Sequence, residues 1–449
     1  MQAKFWRILI IGIPILLFLI YLLSVLGLGR VFLHCPPHCA GVRFDGQELG
    51  GADYSDVTLS RASFVGAHLQ AANFDGADLY FANFQDADLR YTDLRRANLR
   101  AALLIGTNLQ DADLRGAVLA GARMQKAILT GADLRGLDLS TVTLDRADLH
   151  GAVIDGTTVL RPKWRTVWEI VNEGGNGRNL AAMDLQNAYL VGANLAGADL
   201  GRARLQNADL AGADLTGARL DLAVLHQTYI DDTTQIGDKW RLVWDIVNHA
   251  QRGRSLAGVD LFRANLTGAV LYGADLQNAN LAGADLTKAD LRQAHLSGAN
   301  LRDAELRDAS LRESVLTGTD LTGANLEGAD LTGADLHGLI WDASTTVADK
   351  WRLGWKIVNE GGANLDLSGR YLSYVNLAGA DLSGANLQGA NLQGANLEDA
   401  NLAGADLTDA ILVAARLVDA DLSGAQLDGV QWGQANLEGA RLPKGFELR

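Results

Sequence analysis

Large apolar residues recur at every fifth position through most of this chain. Between Gly384 and Leu407 they are leucines, at positions 387, 392, 397, 402 and 407. An α-helix repeats its buried face every 3.6 residues and a strand every second residue, so neither element alone accounts for the spacing. A backbone that turns a corner after each short extended piece does account for it, because such a chain winds into stacked coils. The period therefore predicts an all-β solenoid.

Each five-residue unit has the order small, Asx, large, polar and often Gly, as in Ala385 to Gly389. We call the large residue the centre and the residue two positions earlier the small residue, and an extended backbone points both to one side. This pattern resembles that of the pentapeptide-repeat family, whose fold is a right-handed quadrilateral β-helix with four units per coil. The resemblance extends from Phe44 to Leu442 apart from three interruptions. The sixty-eight units would make seventeen coils, a stack of about 80 Å.

The three interruptions have one length, because the centres on either side are always 26 residues apart, and each shifts the frame by one residue. Three equal lengths indicate one duplicated device. The predicted organisation is an anchor over 1–30, a juxtamembrane segment over 31–43, and repeat blocks over 44–154, 180–230, 256–341 and 367–449, the last including a C-terminal cap formed with Phe446. The helical inserts are predicted over 155–179, 231–255 and 342–366.

Each insert contains a Lys-Trp-Arg motif followed by apolar residues at helical spacing. Pro162 suits the first helical turn, Asp238 and Asp349 are predicted N-caps, and Gly354 weakens the third helix. Six of the nine tryptophans lie here: Trp164, Trp168, Trp240, Trp244, Trp351 and Trp355. One interpretation is that each helix covers the solenoid, which would bury its apolar face. The other is that the helices dock a partner, because Trp is enriched in binding hot spots. Blocks of unequal length predict that the three helices cannot all leave the same face.

No charged residue occurs from Ile8 to Leu28. As a helix this run is about 31 Å long, which matches the hydrocarbon core and favours an uncleaved anchor over a shorter signal peptide. Lys4 and Arg7 precede it, so we expect the N-terminus in the cytoplasm and the repeats outside. The resemblance to a characteristically bacterial family, expanded in cyanobacteria, implies a single-pass protein of a bacterial inner or thylakoid membrane with periplasmic or lumenal repeats.

The sequence HCPPHC follows this segment. Its His34, Cys35, His38 and Cys39 are weak candidate metal ligands, since the spacing matches no established zinc pattern. In an oxidising compartment the two cysteines could instead form a disulfide. A juxtamembrane metal- or redox-responsive protein is therefore one functional alternative.

No catalytic motif or cofactor-binding pattern occurs in the sequence, and we predict neither catalytic residues nor a cofactor. The net charge of −14 argues against direct nucleic-acid binding. The favoured function is a non-catalytic, membrane-tethered scaffold that binds an unknown protein partner, with its oligomeric state open. The other alternative is an acidic DNA-mimic rod that acts on a topoisomerase or another DNA-binding protein, as the resemblance implies for the quinolone-resistance subset of the family.

Overall fold

The structure is a computed structural model that describes residues 39–446. Its β-structure consists of isolated parallel bridges between the residue before a centre and a residue of the next coil. The partner lies 20 positions later, or 21 where the chain enters an insert. The bridges run from Arg43 with Ser63 to Asp421 with Arg441. Four units therefore complete one coil, and the rod is four-sided as expected.

One unit shows how the repeat satisfies its backbone. The N–H groups of Leu387 and Gly389 donate to the following coil, at Asp406 O (2.7 Å) and Thr408 O (2.8 Å). Asn386 N–H donates to the preceding coil, and Ala390 N–H closes the corner on Leu387 O at 2.9 Å. The fifth donor, Gln388 N–H, bonds the Asn386 side chain at 3.2 Å, which explains the Asx position. Gly389 has φ +64°, the left-handed conformation that glycine adopts without steric cost.

The core is built from the centre and small residues, which are almost all buried. Near the N-terminal end the centres are aromatic, and Phe64 stacks on Phe84 of the next coil with ring centroids 4.7 Å apart. Cys39 takes the first described centre position, because its N–H donates to Thr58 O at 2.9 Å. Its side chain is buried and disulfide-bonded, so it offers no thiolate to a metal, and its prediction as a candidate ligand is wrong. His34, Cys35 and His38 lie outside the described residues.

Each insert contains one helix: α1 is Pro162–Glu173, α2 is Asp238–Asn248 and α3 is Asp349–Glu360. Pro162 begins α1 as predicted. Asp238 and Asp349 are wrong as N-caps, because they are the first helical residues and follow Gly237 and Ala348. Their carboxylates nevertheless lie in the first turn, where the helix dipole favours negative charge.

The helices do not interrupt the coil. Val159 bridges Asp138, so Leu160 is a centre, six residues after the previous one instead of five. Beyond α1, Gly175 N–H donates to Asn194 O at 2.8 Å, so Gly175 takes the next centre position. Helix α1 thus replaces the two intervening sides of one coil without changing the residue count, and α2 and α3 do the same.

The predicted insert boundaries are therefore too wide, because each insert is one coil with two ordinary sides and a helix. The rod has twenty coils rather than the seventeen expected from the repeat count. At about 4.8 Å per coil it is about 95 Å long. Each insert shifts the repeat frame by one residue, and this shift comes entirely from the six-residue spacing between the two centres before the helix.

That step is held by an aspartate. Asp155 Oδ1 accepts the N–H groups of Thr157 (2.9 Å) and Thr158 (3.0 Å) and the N–H of Gly136 in the preceding coil (3.3 Å). Hydrogen bonds, chiefly from the Thr157 side chain, lower the pKa of Asp155 to about 2. The buried Thr158 hydroxyl donates to Leu134 O at 3.1 Å. Asp231 and Asp342 make the same turn in the other copies.

The coils on either side of each helix bond directly at the corner that the helix bypasses. Arg146 N–H donates to Asn187 O (2.6 Å), Leu222 N–H to Arg263 O (2.7 Å), and Gly333 N–H to Tyr374 O (3.1 Å). Following the bridges along the rod shows that these three corners differ, and no side is replaced by all three helices. The prediction that the helices cannot share one face is confirmed.

Between Cys39 and Phe446 no helix is long and apolar enough to cross a membrane. The predicted span, Ile8 to Leu28, lies outside these residues and stays a prediction. At the other end, Phe446 packs against Trp432 with ring centroids 6.0 Å apart, and both side chains are half-buried. Phe446 therefore covers part of the last coil, as expected of a cap.

Candidate functional site

The tryptophans of the inserts face the solenoid. Trp164 and Trp351 are buried, and the other four are half-buried. The indole N–H groups of Trp168, Trp244 and Trp355 donate to backbone carbonyls of the coil before the helix, at 2.6, 2.7 and 2.6 Å. The helices thus cover the solenoid. Partner docking stays a prediction for this protein, but we no longer expect these six side chains to provide it.

An asparagine in the last turn of each helix completes the preceding coil. The Asn172 side chain donates to Leu149 O at 3.0 Å and accepts Gly151 N–H at 2.5 Å. It therefore makes the hydrogen bonds to this corner that the next coil would otherwise make. Asn248 and Asn359 repeat both bonds. These asparagines were not predicted as functional, although each occupies the same place in its insert.

A lysine begins each Lys-Trp-Arg motif and lies over the adjacent indole. The Nζ atom of Lys163 is 4.5 Å from the ring centroid of Trp164, and that of Lys350 is 4.1 Å from Trp351. Burial lowers the pKa of both lysines, and the Asp184 carboxylate opposes the shift at Lys163. These contacts are internal to the insert, and we assign them to holding the helix on the coil.

One side of the first block carries a ladder of arginine and aspartate. Arg115 bonds Asp113 at 2.6 Å and reaches Asp133 of the next coil at 3.4 Å, and Arg135 bonds Asp133 at 2.6 Å. Hydrogen bonds from the arginines hold the pKa of both aspartates below the usual range. The acidic row is therefore neutralised here, and it does not present bare carboxylates at regular spacing.

Some of the histidines in residues 39–446 are bonded to aspartates. His150 and His337 each bond an aspartate two residues earlier, at 2.6 and 2.7 Å, with no serine or cysteine hydroxyl or thiol hydrogen-bonded to either ring. Across residues 39–446, no group of three or more His, Cys, Asp or Glu side chains is placed to hold a metal ion.

A cleft of about 850 Å³ lies at the corner that α2 bypasses. Its floor includes the backbone bond from Leu222 to Arg263, and small residues such as Gly201 and Gly283 leave it open. The third insert has Tyr374 at the corresponding corner, packed close to Gly394. The cleft could not be predicted from sequence, because its walls come from coils on opposite sides of the helix.

The cleft has two walls of opposite charge. Arg202, Arg219 and Arg263 line one part together with Asp221, which lies 3.7 Å from Arg219, while Asp285, Asp303 and Glu305 line another. Arg219 is paired with Asp199 at 2.9 Å. Within residues 39–446, Arg202, Arg263 and Asp303 make no ion pair or side-chain hydrogen bond. Glu305 is paired through Oε2 with Arg307 at 3.5 Å, and its buried Oε1 has no hydrogen-bond partner. The cleft therefore retains charged groups that a ligand can pair.

These features define a four-sided repeat solenoid with a binding cleft. Matches to the family of pentapeptide repeats cover more than half of the chain, so the protein belongs to the pentapeptide repeat family, and its coil is the right-handed quadrilateral β-helix of that family. The matched segments are 38–76, 52–90, 62–100, 97–136, 129–158, 179–228, 260–298, 299–338, 363–399 and 415–444.

Solved structures of the family resemble parts of the chain. HetL from Nostoc sp. strain PCC 7120, described as involved in heterocyst differentiation regulation, is 24% identical over 69% of this chain and 94% of its own, with a TM-score of 0.18. A thylakoid-lumen protein from Arabidopsis thaliana is 40% identical over 21% and 68%, with a TM-score of 0.15. QnrB1, a plasmid-mediated fluoroquinolone resistance protein, is 20% identical over 43% and 92%, with a TM-score of 0.16. No curated protein matches the chain.

Proposed function

We propose that this protein is a non-catalytic scaffold that is tethered to a membrane by Ile8 to Leu28 and binds a protein partner along its solenoid. The observation that carries the binding role is the cleft beside α2. The cleft gathers Arg202, Arg263 and Asp303 at one corner, and within residues 39–446 these three side chains make no ion pair or side-chain hydrogen bond. The apolar N-terminal run supports the tether.

The DNA-mimic alternative has less support. Such a rod needs carboxylates spaced like phosphates, and the family relationship to QnrB1 together with the net charge of −14 favours that reading. The arginine ladder opposes it, because Asp113 and Asp133 are each bonded by arginine. A gyrase supercoiling assay separates the two, since a scaffold leaves supercoiling unchanged at concentrations where a mimic inhibits it.

The binding role is tested by photo-crosslinking in intact cells. A photoreactive amino acid at Arg202, inside the cleft, is expected to give a protein adduct of defined mass. The matched control is Arg61, which lies at the same type of corner with φ +61° but outside the cleft. Absence of an adduct at Arg202, or the same adduct at Arg61, contradicts a binding role for the cleft.

The tether is tested with a C-terminally tagged full-length protein. We expect it to resist carbonate extraction, and we expect external protease to remove the tag from spheroplasts but not from inverted vesicles. A variant lacking residues 8–28 is the control and is expected in the soluble fraction. Protection of the tag in spheroplasts would reverse the orientation, and release of the full chain by carbonate would remove the anchor from the proposal.

A further inference from the structure

The geometry of the cleft points to the chemistry of its ligand. We propose that it binds an extended protein segment that carries an acidic side chain at one end and a basic side chain about six residues away. This inference rests on the proposed binding role and does not depend on the membrane anchor.

The cleft follows the axis of the rod. Its corner residues are Arg202, Leu222, Arg263, Gly283 and Asp303. Their coils are consecutive at this corner, because the N–H group of each of the first four donates to a carbonyl of the next coil. The coil that would separate Leu222 from Arg263 is bypassed by α2. Four spacings of about 4.8 Å give about 19 Å from Arg202 to Asp303. A fully extended segment of six to seven residues spans that distance at about 3.3 Å per residue.

The charge changes sign along this line. Arg202 lies at the end nearer the N-terminus and Arg263 at the middle of the line, and guanidinium groups bind carboxylates with two parallel hydrogen bonds. Asp221 of the coil between them also lines the cleft, and its Oδ2 lies 3.7 Å from Arg219 Nε. Asp303 and Glu305 occupy the other end; Glu305 Oε2 lies 3.5 Å from Arg307, and Asp303 makes no ion pair within the described residues. A lysine or arginine of the ligand would pair with Asp303. A segment of a single charge sign would satisfy one end and be repelled by the other.

A protein segment fits this arrangement better than a nucleic acid. The phosphates of a nucleic acid repeat one charge along its length, and here they would meet the carboxylates of Asp285, Asp303 and Glu305. A small ligand of the usual size would reach only one of the two ends. The small residues of the floor, such as Gly201 and Gly283, leave room for a peptide backbone to lie close to the solenoid.

The test measures binding of labelled peptides to the full chain by fluorescence anisotropy. The probe is Asp-Asp-Gly-Ser-Gly-Lys-Lys, blocked at both ends, and two comparison peptides carry aspartate pairs or lysine pairs at both ends. An eight-residue oligothymidine represents nucleic acid. We expect the mixed peptide to bind at least five-fold more tightly than any of the others, with an affinity that falls as salt is added.

Charge reversal at either end should change which peptide is preferred. Arg263→Glu is expected to shift preference to the all-lysine peptide, and Glu305→Lys to the all-aspartate peptide. Arg61→Glu is the matched control, because Arg61 and Arg263 share the left-handed corner conformation that Glu313 already adopts at φ +56°. It is expected to retain the preference of the wild-type chain. A change of preference, unlike a loss of binding, cannot result from misfolding.

The proposal is overturned if the four probes bind equally, if none binds, if the oligonucleotide binds best, or if the two reversed variants keep the wild-type preference. These results differ from failure of the binding role itself. A crosslinked adduct at Arg202 with no peptide preference would retain the cleft as a binding site and reject the charge rule. Loss of both would reject the site.

Discussion

The packing of α3 against the solenoid makes a quantitative prediction. A Cβ atom built on Gly354 would overlap Cγ1 of Val375, a buried and stiff side chain in the following coil. The first insert has Val167 and Ala188 at these two positions, and the second has Val243 and Ala264. The helix and the following coil thus share one space in the core. A valine of the helix fills it in the first two inserts, and a valine of the coil fills it in the third. The glycine that weakened the predicted helix is explained by this exchange.

We expect Gly354→Val to destabilise the α3 coil by about 1–3 kcal/mol, because the core is overpacked. Val375→Ala should cost about 2 kcal/mol through lost burial and a cavity. The double variant recreates the valine–alanine pair of the other inserts, so it should lie within about 1 kcal/mol of the wild-type chain. The coupling free energy between the two sites is then about 3 kcal/mol.

The assay is hydrogen exchange of amides in α3 and in the coil around Val375, read by mass spectrometry, because a long repeat protein does not unfold in one step. The reciprocal pair in the first insert, Val167→Gly with Ala188→Val, is the control and should show the same rescue. The reasoning is refuted if the exchange protection of the double variant falls by the sum of the two single effects.

Three further predictions follow from single contacts. Asp245→Ala leaves the buried Arg254 guanidinium without its 2.6 Å partner and should destabilise α2 by about 2 kcal/mol in hydrogen exchange. Glu169→Ala breaks the more exposed ion pair of α1 and should cost less than about 1 kcal/mol; equal costs would contradict this difference. Because the pKa of Asp155 is lowered to about 2, the stabilisation that its carboxylate provides is complete above about pH 4 and is lost as the pH falls toward 2. The melting temperature of Asp155→Asn should therefore approach that of the wild-type chain over this range, and a constant difference would contradict the assignment. Trp168→Phe removes one indole hydrogen bond and should lower the local stability of α1 by about 1 kcal/mol, with protection of α2 as the internal control; an equal loss in both helices would contradict a local effect.

Much of the fold could be predicted because the repeat is local. Five consecutive residues, such as Ala385 to Gly389, are enough to identify the centre, small and Asx positions of a unit. Every backbone donor of that unit finds the type of partner that its position requires. The three helices were also predictable, since their apolar spacing and the glycines that end α1 and α3 lie within a dozen residues. The candidate site was not, because Arg202 and Glu305 are about a hundred residues apart in the chain.

The sequence by itself determined a coil with buried leucine and alanine positions, three duplicated helices, and a frame that shifts by one residue at each. Only the tertiary structure decided that each helix replaces two sides of one coil, that Leu160 and Gly175 are core positions, and that the flanking coils meet at the bypassed corner. The reason is physical. Turn conformation and side-chain direction depend on neighbouring residues, whereas the cleft depends on which coils touch, and that is set by hydrogen bonds between residues such as Leu222 and Arg263 that lie two coils apart in the chain.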